Sequence, residues 1–290
     1  MNNKILVSII TPAYNAEKYI DNTIKSVIFQ DYPYIEHIVI DDGSEDGTIN
    51  VLKQYEKKYD LHWFSKCNEG QTITVNEGFD LAKGEIVVWL NADDVLFNRQ
   101  VIRDIVKQFS ENPKTDVIYG HMAIIDEMNK FVKMQYAFPW FDNERLLRFH
   151  FAACVFYRKK IVQKYKLDTK LNYAMDYEQC FRMYKGGVRF QFINKILMGY
   201  RRHKDTKSMS NKYKVNLEVN KIRKKFGQKL TLSHYVSQYL DILFLLAFKV
   251  TGITEVIDLN LRPQKYQLAF DYKKDSLIKL IIRQMIPYFT

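Results

Sequence analysis

The sequence predicts an α/β protein built on a doubly wound sheet. Over the first 120 residues, β-branched apolar runs alternate with segments whose apolar residues recur at helical spacing. Three of those runs end in polar clusters, "TPAYN", "DDGSEDG" and "NADD". In such sheets ligands bind beyond the carboxyl ends of the strands, so three clusters at one edge point to a site. Taken singly, each is also ordinary turn chemistry.

The elements follow in order. "KILVSIIT" is continuous and apolar, as expected of a strand covered on both faces. Ile20, Ile24, Val27 and Ile28 then form one helical stripe. "YIEHIVI" is the second strand, and Ser44 or Asp46 caps a helix with Ile49 and Leu52 on its inner face. "LHWFS" is a short third strand. A helix over 71–83 closes at Gly84, and "EIVVWL" is the fourth strand. From about 115 to 200 the pattern is mixed: "DVIYG", "FVKMQYA", "CVFYRK" and "VRFQFIN" read as strands, with helices near 143–149 and 176–185. Beyond about 205 the chain is basic and then helical, "YLDILFLLAFKV" being its most apolar stretch. These boundaries divide the chain into 1–205, with halves 1–120 and 115–205, and a helical C-terminal region 206–290.

The chain has 290 residues, 47% of them apolar and 27% charged, enough for a sizeable core and unlike a disordered composition. The net charge of +11 is concentrated, since residues 201–230 hold eleven Lys/Arg against Asp205 and Glu218. That excess suits an anionic ligand or surface, or a solvated helix face. Cys67, Cys154 and Cys180 are odd in number and form no CxxC, which disfavours a disulfide framework or a structural zinc site. The N-terminus reads as a strand, not a signal peptide, and no apolar run approaches the roughly 20 residues of a spanning helix. The expected location is cytoplasmic.

No GxGxxG follows the first strand and no GxxxxGK[ST] occurs, so phosphate must be held by another device. Asp93 and Asp94 offer one: hard carboxylate oxygens bind Mg2+ or Mn2+, which in turn clamps a diphosphate. The pair also suits a helix cap after Asn98 or a lysine partner.

Two long stretches carry a resemblance. "VSIITPAYNAEKYIDNTIKSVIFQDYPYIEHIVIDDGSEDGT" and "NEGQTITVNEGFDLAKGEIVVWLNADD" resemble the family 2 glycosyltransferases of GT-A fold, as do "FYRKKIVQKYKLDTKLNYAMDYEQCFRM" and "YRRHKDTKSMS" farther on. The resemblance implies a GT-A mixed sheet with flanking helices, carrying a basic helical extension. It also implies transfer of a sugar from a nucleotide diphosphate, a UDP-sugar, to an acceptor hydroxyl with inversion, in bacterial surface glycan assembly. The acceptor would be a sugar or a lipid-linked glycan.

Carried over by position, Thr11, Pro12, Ala13 and Tyr14 line the nucleotide, and Asp42 accepts the uracil N3–H, which cytosine lacks. Asn76 and Asp93 complete the nucleotide side, and Asp94 holds the metal. Asp176 in "YAMDYEQCFR" is the base that receives the acceptor proton, and as the start of a helix it also suits an N-cap. Arg201, Arg202 and His203 contact phosphate, with His203 a second metal or a structural candidate.

Three departures from the family pattern stand out. Met175 replaces an acid often found before the base, Asn91 replaces the first Asp of "DADD", and Val75 stands where a cation often precedes Asn76. No QxxRW signature of processive members is present. The basic segment 201–230 has two readings: docking on an anionic membrane face, which would make the protein peripheral, or a structural appendage or homodimer interface. A sugar nucleotidyltransferase lacks support because no glycine-rich loop follows strand one. A non-catalytic nucleotide-sugar binder would be expected to lose Asp94 or Asp176. No nucleic-acid recognition motif accompanies the charge.

Overall fold

β1 (Val7–Ala13) is buried at every position, because it is the inner strand of a parallel trio. It pairs with β2 (Ile35–Asp41) from Val7↔Ile35 to Ala13↔Asp41, and with β4 (Ile86–Trp89) from Val7↔Ile86 to Ile10↔Trp89. The strand therefore extends beyond the expected Thr11. Pro12 is tolerated there because its missing N–H falls on the β4 side, past the last paired residue. β3 (Leu61–Ser65) pairs with β2 and is only partly covered, as an edge strand should be.

The structure is a computed structural model and describes residues 4–135, 137, 155–204, 206–207 and 211–227. The helix expected near 143–149 and the apolar stretch after 235 lie outside the described residues. Beyond β4 the sheet becomes mixed. β8 (Val155–Arg158) runs antiparallel to β4, and β6 (Val117–Ile125) antiparallel to β8. β9 (Phe190–Arg201) is parallel to β6, and β5 (Val95–Leu96) closes the order β3-β2-β1-β4-β8-β6-β9-β5, with β7 (Phe131–Gln135) paired to β6.

Helices cover both faces. α1 (Ile20–Ile28) buries Ile20, Thr23, Ile24 and Val27, whereas Ile28 is 44% exposed, so the stripe is one residue narrower than the spacing predicts. α2 (Thr48–Tyr55) buries Leu52, and the Asp46 carboxylate accepts the Thr48 N–H at 2.9 Å across its first turn. α3 (Gln71–Leu81) ends before Gly84, which serves a different purpose. A Cβ there would lie 2.7 Å from Leu6 O and Ser8 N, so only glycine lets the chain cross β1 this closely. α4 (Val101–Glu111) buries Val101, Ile102, Ile105 and Phe109. α5 (Lys159–Lys164) and α6 (Met175–Lys185) follow β8.

α7 (Lys212–Lys225) carries the basic excess and packs on the same core. Ile222 is 2% exposed, and the Phe226 ring stacks on Phe181 of α6 at 5.1 Å. Lys225 bonds the buried Glu178 at 2.8 Å, and Arg223 donates to the Tyr177 hydroxyl at 3.3 Å. The break expected at residue 205 thus falls inside one hydrophobic core. Part of the basic charge is spent on α6.

Candidate active site

The carboxyl ends of β1, β2 and β4 lie together by register, which sets their polar clusters side by side. At β1, Thr11 is fully buried and its hydroxyl bonds His37 Nε2 at 2.9 Å. The other ring nitrogen meets the Tyr59 hydroxyl at 2.7 Å, and burial lowers the His37 pKa to about 3. Ala13 packs with Ile20, Leu52 and Ala92. Of the quartet expected along the nucleotide, Tyr14 alone presents a side chain to solvent, at 52%. Thr11 and Ala13 shape the edge from within.

Asp41 and Asp42 are both buried. Asp41 ties loops together, accepting the Ser65 hydroxyl at 2.6 Å and the Ser44 N–H at 3.3 Å. Asp42 accepts the N–H groups of Glu69 at 3.0 Å and Gly70 at 2.9 Å. The latter bond is made possible by the φ of +92° at Gly70. Lys66, which pattern reading passed over, stands 3.8 Å from Asp42 and bonds Glu69 and Glu77 at 2.7 and 2.9 Å. Nothing in its spacing marks it, because the partners come together through α3 and the loop before it.

Asn76 was expected on the nucleotide side. Its amide is instead matched at both ends to Leu167, donating to the carbonyl at 3.0 Å and accepting the N–H at 2.9 Å. It pins α3 to the chain leading toward α6.

The "NADD" turn joins β4 to β5 and is held shut by the end of β9. Asp94 is fully buried and faces inward. One oxygen accepts the Arg201 N–H at 2.9 Å and the other the Asn91 amide at 2.9 Å. Burial, and then the charge of Asp93, push its pKa well above the carboxylate range. Asp94 was expected to hold the cation, but with no exposed surface and both oxygens engaged it is the anchor of the turn. Asp93 is the exposed partner, at 30%, and its Oδ2 lies 3.0 Å from His203 Nε2. The His203 ring rests 4.6 Å from Tyr19. Arg201, expected at phosphate, is likewise fully buried: it donates to the carbonyls of Asp93 at 2.7 Å and Asp126 at 3.1 Å, and lies over Tyr19. Arg202, next in the chain, bonds Ile125 O through its N–H and sits near Lys133 of β7.

Asp93 and His203 fit a divalent ion. Both are donor types that such an ion accepts, and their direct contact at 3.0 Å keeps the two donor atoms together. Among the described residues no cluster of three or more His, Cys, Asp or Glu side chains gathers. A two-ligand site is what a cation shared with substrate phosphates requires.

Asp176 lies in the first turn of α6, accepting the Tyr177 N–H at 2.5 Å. Burial raises its pKa to about 6, with a further push from Glu218 and a counterweight from Lys207. The acid missing at Met175 is thus made up from α7. Glu218 also accepts the N–H groups of Asn172, Tyr173 and Ala174 at 3.0, 2.8 and 2.9 Å, holding the entry to α6 in place. Glu178, the neighbouring acid, is buried and paired with Arg182 and Lys225. A polar chain runs from Lys207, whose charge Asp176 feels, to the acidic turn. Lys207 bonds Gln71 at 3.2 Å, Gln71 bonds Asn91 at 3.0 Å, and Asn91 bonds Asp94.

Residues 8–185 match the family described as Glycosyl transferase family 2. A teichuronic acid biosynthesis glycosyltransferase of Bacillus subtilis, itself named as putative only, is 43% identical over 95 residues, 32% of this chain. The chain spans 38% of that relative's length. Among solved structures, S. aureus TarS 1–349 in complex with UDP-GlcNAc superposes with a TM-score of 0.63 at 21% identity, covering 80% of this chain and 70% of that one. A Pyrobaculum calidifontis mannosyltransferase in complex with GDP-Man and Mn2+ gives 0.56 at 20% identity, covering 72% and 61%. These structural likenesses show the shared GT-A fold.

Proposed function

The chain belongs to glycosyl transferase family 2, and from that premise we propose that it moves a sugar from a nucleotide diphosphate, a UDP-sugar, to an acceptor hydroxyl with inversion. The observation that supports the reading is the hydrogen-bonded chain Lys207–Gln71–Asn91–Asp94, which runs from a lysine whose charge Asp176 feels to the turn that carries the Asp93–His203 pair.

In this reading Tyr14 and the backbone of Pro12 and Ala13 flank the base and ribose, and Asp42, expected to accept a ring N–H, instead holds the loop beside them through the Glu69 and Gly70 N–H groups. Asp93 and His203 hold Mn2+ or Mg2+, which when bound neutralises charge on the diphosphate leaving group. Asp94 and Arg201 fix the turn that presents Asp93, while Arg202 remains the phosphate candidate of its segment. Asp176 takes the proton of the acceptor hydroxyl as that oxygen attacks the anomeric carbon. Attack in a single displacement inverts the centre, with no protein nucleophile required. Assembly of a surface glycan is the setting that the Bacillus relative's name supports. Among the described residues no helix is long and apolar enough to cross a membrane.

Replacing Asp176 with Asn tests the assignment. Transfer should fall by at least about a thousandfold while UDP binding, read by thermal shift with Mn2+, stays within twofold. Turnover near that of the unmodified protein would reject Asp176 as the base.

A further inference from the structure

A cleft of about 480 Å³ opens between the approach to α6 and the flank of α7. That volume suits a small ligand. Its α7 wall is Lys214, Leu217, Glu218 and Lys221, which recur at steps of three and four and so share one helix face. Tyr173 and Lys207 form the opposite side, with the Lys207 amine 5.5 Å from the Tyr173 ring centroid.

The electrostatics of this cleft are one-sided. Glu218 is its single carboxylate, and three backbone N–H groups already solvate it. Lys214 and Lys221 are exposed and have no ion-pair partner among the described residues. Among the residues lining the cleft, three amines face one spent carboxylate, beside an aromatic ring and an aliphatic side chain. Asn172 and Tyr173 of the cleft wall lead directly into α6, whose first turn carries Asp176.

We propose that this cleft is the acceptor subsite and that it selects an acceptor carrying a phosphate or carboxylate close to the hydroxyl to be glycosylated. Lys214 and Lys221 bind the anion, and Tyr173 and Leu217 cover the apolar face of the sugar or polyol. A neutral acceptor leaves the two amines unmatched and gains nothing from them. The inference rests on the transferase reading for the word acceptor; the anion site itself rests on the cleft alone.

The test is binding to the full chain saturated with UDP and Mn2+, so that the donor's own phosphate position is occupied. Glycerol 3-phosphate, a methyl glucuronide and farnesyl diphosphate are titrated beside glycerol, methyl glucoside and farnesol. At least one anionic probe should bind at least tenfold tighter than its neutral counterpart, and which one does so separates a phosphorylated polyol, a uronate and a lipid diphosphate. The double variant K214Q/K221Q should lose about five- to tenfold of that affinity, and K224Q, which removes a charge from α7 outside the cleft, should lose none. Equal binding of charged and neutral probes would overturn the proposal. So would equal losses in K224Q and the double variant, which would indicate a diffuse charge effect. Binding of UDP-sugars with Mn2+, measured on the same protein, reports on the transferase reading separately: failure of every UDP-sugar to bind together with selective anion binding defeats that reading and leaves the anion site standing.

Discussion

Asp176 is held at a cost that its proposed task explains. Its folded pKa, about 6, lies above the ordinary 3.8, so the folded state binds this proton more tightly than the unfolded one. The stabilisation is therefore complete below about pH 4 and is lost as pH rises through 6. Asp176→Asn should raise the unfolding free energy at pH 8 by on the order of 1–3 kcal/mol and leave it unchanged at pH 3.5, read by denaturant titration. The same ionisation sets the activity profile: kcat/KM should fall tenfold per pH unit on the acid side of about pH 6. At the acidic turn, long-range partners separate the roles. Asp94 is fully buried while Asp93 is partly exposed; Asp94 is held inward by the Arg201 N–H, 107 residues later, and that is not written locally. Arg201→Met should cost about 3 kcal/mol in unfolding free energy, because the carbonyls of Asp93 and Asp126 lose a buried donor. Denaturant titration measures it.

Among the elements, α7 was the least legible. Its mean hydropathy is low and its lysines read as a solvated face. Yet Ile222 is in the core, and Glu218 caps the entry to α6 from 44 residues away. Long-range caps leave no periodic signal, since the capping residue and the capped turn lie on different helices. Glu218→Gln should move the acid limb of the pH profile downward, because a charge that raises the Asp176 pKa is removed. UDP affinity should hold within twofold. A profile that stays in place would show that Glu218 acts only as scaffold. By contrast, β1 to β4 and their helices were readable, because each buries a continuous run or a single stripe. β5 was missed because two residues cannot establish an alternation.

Across the whole molecule, the sheet brings to one edge what the chain keeps far apart. The three polar clusters were visible because turn-forming residues ended apolar runs, and the parallel register of β1, β2 and β4 brings them to one edge as half of the candidate site. The other half comes from β9, whose last residues close the turn after β4. Removal of the divalent ion tests how the halves cooperate. EDTA should abolish transfer, Mn2+ or Mg2+ should restore it, and UDP should raise the melting temperature only when the ion is present. His203→Ala should raise the metal concentration needed for half-maximal rate by about 10- to 100-fold.

Arg201, His203, Thr206 and Lys207 lie within seven positions of one another, and between them they touch the acidic turn, the cation pair and the wall beside the base. On the proposed reading the two substrates meet the protein at opposite ends of this short connector. Thermodynamic reciprocity then applies: whatever factor the donor adds to the affinity for its co-substrate, the co-substrate returns to the donor. Release of the spent nucleotide should accordingly loosen the grip on the newly lengthened glycan, giving turnover a built-in order of departure.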